Sequence, residues 1–126
     1  IGVPDQILNK PGPLNDEEWK IMRQHPIFAR DILYPIEFLR PCIDIPYSHH
    51  ERWDGTGYPQ GLKGKEIPLV ARIFAIIDVF NAITSERPYR KPWSKEKAID
   101  YIHEQSGKHF DPEVVEVFLK NVDRLY

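Results

Sequence analysis

The chain has 126 residues, 41% of them hydrophobic and 29% charged, with a net charge of -2. That length fits one domain with a real core, and that charge gives no global attraction to nucleic acid or to an anionic membrane. The single cysteine, Cys42, excludes an intrachain disulfide framework and fits a reducing, cytoplasmic compartment.

No apolar run reaches the roughly 18 residues of a membrane span. The stretch 67–83 comes closest, and it is interrupted by Arg72, Asp78 and Asn81. Nothing at the N-terminus resembles a signal peptide. The chain opens on Ile1-Gly-Val-Pro with no initiator Met, which leads us to expect a piece of a longer protein. Twelve prolines argue against long unbroken helices and against a central sheet.

In chain order, residues 1–14 read as a loop, with one helical turn at Asp5–Leu8. Asn15 with Glu18 three residues on forms a capping box that starts a helix running to about Gln24. The His25–Pro26 step disfavours α geometry at His25, so a break is expected there, with a new helix from Pro26 through Leu33. Short segments follow at 36–40 and from Pro41 to the His49–His50 pair. Residues 54–66 hold Gly55, Gly57, Gly61, Gly64 and Pro59 and read as an extended loop. The span 67–85 is apolar around nearly its whole circumference, which predicts a central, buried helix. A basic segment, Arg87-Pro88-Tyr89-Arg90-Lys91-Pro92, comes next. Ser94 caps a helix stopped by Gly107, and Asp111 caps a last helix with Pro112 at its first position. The pattern is all-α, a bundle of about six helices.

The chemistry concentrates in 49–59, His-His-Glu-Arg-Trp-Asp-Gly-Thr-Gly-Tyr-Pro. Two adjacent imidazoles on a helix diverge by about 100°, so a site shared by both is wide enough for more than one metal. Asp78 sits in the helix expected to be buried, where an isolated carboxylate costs several kcal/mol. It therefore needs a metal, a basic side chain such as Arg72, or a proton. His25 is a third candidate imidazole, while His103 and His109 read as structural or solvated. Imidazole with carboxylate suits Zn, Fe, Mn or Ni. Arg87, Arg90 and Lys91 read either as a solvated basic loop or as a phosphate site. Tyr58 could stack on a base, and Asp54 could brace the loop or orient a histidine. These residues together point to a metal-assisted phosphoester hydrolase.

HHERWDGTGYP resembles the signature of HD-GYP domains, a branch of the HD phosphohydrolase superfamily. Met22-Arg-Gln-His25-Pro, Asp78 in IIDVFNAITSERPYR, and Leu8-Asn-Lys-Pro-Gly-Pro-Leu extend the resemblance over nearly the whole chain. It implies an HD-like helical bundle, with 1–126 as the C-terminal part of one domain lacking its N-terminal helices. It implies His25, His49, His50 and Asp78 as metal ligands, with iron or manganese in a two- or three-metal site. Arg87 and Arg90 would contact phosphate, and Tyr58 would line the nucleotide pocket. The implied reaction is hydrolysis of cyclic di-GMP in bacterial signalling, or of another cyclic dinucleotide. Implied partners are an upstream receiver or sensor domain and a signalling protein docking at the Gly-Tyr-Pro loop. The family's His-Asp doublet, which supplies a bridging carboxylate, and a lysine after it occur nowhere in this sequence. The catalytic residues are therefore not identified, and weak metal binding and weak hydrolysis are expected of this chain. An uncovered apolar face on its central helix would favour self-association. A non-catalytic interaction module and a phosphohydrolase for another nucleotide are the competing readings.

Overall fold

A computed structural model describes residues 2–88 and 90–126. Ile1, and Tyr89 of the basic segment, lie outside the described residues. Seven α-helices follow one another, and no strand occurs among the described residues. They are α1 (Asp5–Leu8), α2 (Asp16–Met22), α3 (His25–Leu33), α4 (Asp44–Ser48), α5 (Leu69–Thr84), α6 (Lys95–Glu104) and α7 (Pro112–Leu125). Two 3₁₀ turns, Glu37–Cys42 and Gly64–Glu66, connect them. The segment expected at 36–40 takes the 3₁₀ form, with Pro41 inside it.

The caps explain most boundaries. Asn15 Oδ1 accepts from Glu18 N, and Glu18 accepts in return from Asn15 N, so α2 opens on a full capping box. Ser94 accepts from Lys97 N at α6, and Asp111 from Glu113 N at α7. The break before α3 falls at Arg23–Gln24, earlier than the His25–Pro26 step predicts. His25 is itself the first residue of α3, where the missing proline N–H of Pro26 costs nothing.

The core lies in the second half of the chain. Ala75, Ile76, Phe80 and Ile83 of α5 pack against Ala98 and Ile102 of α6, against Phe110, and against Val115, Phe118 and Val122 of α7. Fully buried side chains of this kind contribute about 1.5–3 kcal/mol each. A buried ion pair ties α5 to the start of α7: Arg72 donates to Asp111 at 2.6 Å, and Asp111 is 1% exposed.

The expectation that α5 is buried all round is corrected here. Leu69, Val70 and Ile73 are 53%, 45% and 41% exposed, and Asp78 is exposed as well. Apolar periodicity reports which faces could be buried; α4, α6 and α7 cover only part of the circumference of α5. Asp78 is thus not the buried carboxylate that the pattern implied. Its proposed structural partner, Arg72, is taken by Asp111 and by the carbonyl of Ile67.

Candidate metal centre

His25 opens α3, and His49 and His50 follow the last turn of α4. The pair does not lie on a helix, as the 100° argument assumed. His49 is the C-cap and His50 is in the turn beyond it, so the two rings converge, with centroids 3.9 Å apart. His25 meets His50 edge-on at 4.8 Å. One ligand-type nitrogen from each of the three imidazoles lies within 4.8 Å of the others.

The tautomers of two rings are fixed by their partners. His25 Nδ1 donates to the carbonyl of Met22 at 2.6 Å, and His49 Nδ1 donates to that of Ile45 at 2.8 Å. A carbonyl only accepts, so Nδ1 carries a proton and Nε2 is the nitrogen left to face a ligand. Orientation of this kind is the usual support of a metal-binding histidine. His50 is half-buried, and burial first, then the neighbouring imidazoles, push its pKa down to about 3. It is neutral at neutral pH. Three imidazoles suit a divalent transition metal, whose bonds of about 2.1 Å need ligand atoms roughly 3.0–4.2 Å apart, so nitrogens already within 4.8 Å need only a small inward turn of the rings.

The loop that follows is pinned to this cluster. Glu51, 2% exposed, accepts from Gln60 N at 2.6 Å and from Leu62 N at 3.0 Å. Tyr58 N donates to the carbonyl of His50, and Trp53 and Asp54 donate from their backbones to His109 and Lys108. Gly57 passes so close to the chain that a Cβ there would run into His50 O and Arg52 N. Gly55 turns with φ +84°, in the region that favours glycine. Asp54 accepts from both the backbone and the hydroxyl of Thr56, which holds its carboxyl below the ordinary range. It braces the loop and, among the described residues, makes no hydrogen bond to an imidazole, although its charge reaches His109.

Tyr58 stacks on His50, centroids 4.9 Å apart and planes 16° from parallel. Burial pushes its phenol pKa up. Asp78 does not join the three imidazoles. It lies one turn along α5 from Phe74, whose ring meets His49 edge-on at 5.4 Å. Residues four apart share a helix face, so Asp78 is on the His49 side of α5. Arg87 and Arg90 exchange backbone hydrogen bonds across a tight turn, which points both side chains to one face. Arg90 also donates to the carbonyl of Ala82. With Glu86, Pro88 and Lys91 they line a shallow depression of about 380 Å³. No hydrogen bond among the described residues joins this depression to the imidazoles.

Three residues gain a place here that sequence reasoning did not give them. Glu51 is the buried tie of the loop, a role decided by backbone donors nine and eleven residues away. His109, read as structural or solvated, has a buried Nδ1 without a partner; burial, then Arg52, lowers its pKa to about 4. Arg23 places its guanidinium over both Trp19 and Tyr58. Its spacing of four from Trp19 was the available signal.

The HD domain family matches residues 1–114. A Thermotoga maritima protein named cyclic di-GMP phosphodiesterase is 50% identical over 124 residues, 95% of this chain and 33% of that protein. The cyclic di-GMP phosphodiesterase response regulator RpfG of Xanthomonas campestris is 43% identical over 122 residues, 95% of this chain and 32% of that protein. Among solved structures, a cyclic GMP-AMP-specific phosphodiesterase of Vibrio cholerae superposes with a TM-score of 0.71 at 25% identity, over 94% of this chain and 31% of that one. The chain therefore spans about a third of the length of these relatives.

Proposed function

The chain belongs to the HD domain family, and on that premise we propose that it takes part in the metal-dependent hydrolysis of a cyclic dinucleotide, cyclic di-GMP first. The observation that carries this reading is the convergence of His25, His49 and His50, two of them with Nδ1 already committed to a carbonyl. The substrate class comes from the names of the relatives.

The three imidazoles would hold a divalent metal, iron or manganese being the expected ones. When bound, such a metal supplies a Lewis acid and lowers the pKa of a coordinated water. Asp78, on the His49 side of α5, is the proposed fourth ligand. It is exposed, so a rotamer change is not opposed by packing. Tyr58 forms one wall for a base. Arg87 and Arg90, projecting together, bind a phosphate through their planar donor edges. The Glu51 clasp keeps Tyr58 against His50 while substrate enters.

The sequence contains no His-Asp doublet to supply a bridging carboxylate. The proposal therefore includes weak metal retention and slow turnover for this chain by itself. Metal content and cyclic di-GMP hydrolysis with Mn or Fe, measured beside the full-length Thermotoga relative, test it. His49→Ala is expected to lose metal and residual hydrolysis together. Unchanged metal content in that variant sinks the metal-centre reading, and turnover equal to that of the relative sinks the claim of slowness.

Two partner proposals rest on single observations. The loop 52–62 is held rigidly at both ends, which suits a docking surface for a signalling protein. The exposed Leu69, Val70 and Ile73 favour self-association. A receiver domain upstream, as the name of the Xanthomonas relative suggests, belongs to the same proposal.

A further inference from the structure

We infer that Arg23 reads the guanine edge of the dinucleotide and so sets base preference at this site; the inference rests on the cyclic-dinucleotide reading above. Arg23 closes α2 and is exposed at the bend before His25. Its guanidinium carbon is 5.8 Å from the centre of the Trp19 ring and 5.9 Å from that of Tyr58. Tyr58 in turn stacks on His50. A continuous row, His50–Tyr58–Arg23–Trp19, thus leads outward from the imidazole cluster.

Among the described residues Arg23 joins no ion pair, whereas Arg30, Arg52 and Arg72 each face a carboxylate. Its charge is held by ring faces, a contact that leaves the N–H edge of the guanidinium open. Two ligands suit such an edge, a phosphate and a guanine. Position separates them. Arg87 and Arg90 already form a paired cationic turn at the far end of α5. Arg23 stands instead between the rings of Tyr58 and Trp19, and the exposed indole of Trp19 offers a face on which a base stacks.

The chemistry of the edge then selects the base. Guanine presents two acceptors, O6 and N7, to a planar two-donor fork. Adenine presents one acceptor and an amino donor, which opposes the second N–H of the fork. Cyclic di-GMP and cyclic GMP-AMP, the substrates in the names of the relatives, share a guanine.

The test compares dissociation constants for cyclic di-GMP and cyclic di-AMP, by calorimetry on metal-loaded protein, in wild type, Arg23→Ala and Arg23→Lys. The wild type is expected to prefer cyclic di-GMP, and both variants to lose about ten- to a hundredfold of that preference with cyclic di-AMP binding unchanged. Lysine keeps the charge and loses the fork. If Arg23→Ala weakens both ligands equally and Arg23→Lys restores both, Arg23 is a phosphate contact and the inference is overturned. If wild type binds cyclic di-GMP and Arg23→Ala binds it as well, the inference falls alone. A wild type that binds neither nucleotide overturns the dinucleotide reading and Arg23 with it.

Discussion

Helices α5 to α7 bury Phe80, Ile76, Ile102, Phe118 and their neighbours in one cluster, whereas residues 2–50 bury only Pro26, Ile43 and Ser48. Helices α1 and α2 bury nothing. The three imidazoles straddle this difference. His49 and His50 are fixed by the pinned loop and by Phe74 of the packed half. His25 sits on α3, which reaches the rest of the molecule mainly through α4. The contrast teaches that one wall of the centre is set by the fold and the other is held by few contacts. A ligand that joins the walls therefore also joins the halves.

The largest expected effect is in the packed half. Phe80 is 1% exposed and packs edge-on against Phe118 at 5.3 Å. Phe80→Ala should cost about 3–5 kcal/mol in chemical denaturation and unfold the whole chain together. A loss of α1 and α2 signal alone, with α5 to α7 intact, would show that the cluster is not the common support.

The acid limit of stability comes next. His50 and His109 have folded pKa values of about 3 and about 4, against 6.5 when unfolded. Below 6.5 the unfolded chain takes up protons that the folded chain refuses, so stability rises with pH until about 6.5 and then levels. In metal-free protein, Tm should fall steadily from pH 6.5 towards 4, and His109→Gln should flatten part of that slope. A Tm that is level across this window removes both buried imidazoles from the account.

Metal addition tests the join directly. A divalent ion at a hundred times its dissociation constant stabilises the native state by about 2.7 kcal/mol. Local openings of α3 should be suppressed more than those of α6 and α7, read as hydrogen exchange, because α3 gains a new anchor and they do not. His25→Ala should abolish the gain in α3. Equal protection in all helices would mean that the ion does not bridge the halves.

Glu51→Ala should cost about 1–2 kcal/mol, since two partly buried backbone donors, Gln60 N and Leu62 N, lose their acceptor. The readout that separates this from a core effect is the fluorescence of the loop's Trp53 beside the wild-type Tm. A chain whose loop and Tm are both unmoved would show that the backbone ties to Lys108 and His109 suffice.

These residues also show what a sequence carries. The capping box at Asn15, the caps at Ser94 and Asp111 and the turn at Asp5–Leu8 are local, so three or four letters specify them. The imidazoles were legible as ligand types, and their family context as a motif. The burial expected of Asp78 failed because burial depends on what lies opposite, and the letters of α5 do not name its neighbours. The partner of Arg72 is 39 residues away, and the donors of Glu51 are on a loop whose path depends on Gly57. Such pairings follow from the fold and cannot be read before it.

The smallest effect belongs to the thin half. Asn15→Ala removes an N-cap, worth typically about 1 kcal/mol. Helix α2 is seven residues long and buries none of them, so it is too short to persist without its capping box and the 2.6 Å bond from Lys10 to Glu18. The loss should therefore appear as faster exchange of α2 amides, with Tm almost unchanged. Because Trp19 lies on α2 and Arg23 closes it, the same substitution should loosen the contacts of Arg23 without touching a histidine. Metal affinity should stay at the wild-type value while the preference for guanine weakens. If metal affinity falls in step with that preference, α2 supports His25 as well, and the two walls of the centre are less separate than the packing indicates.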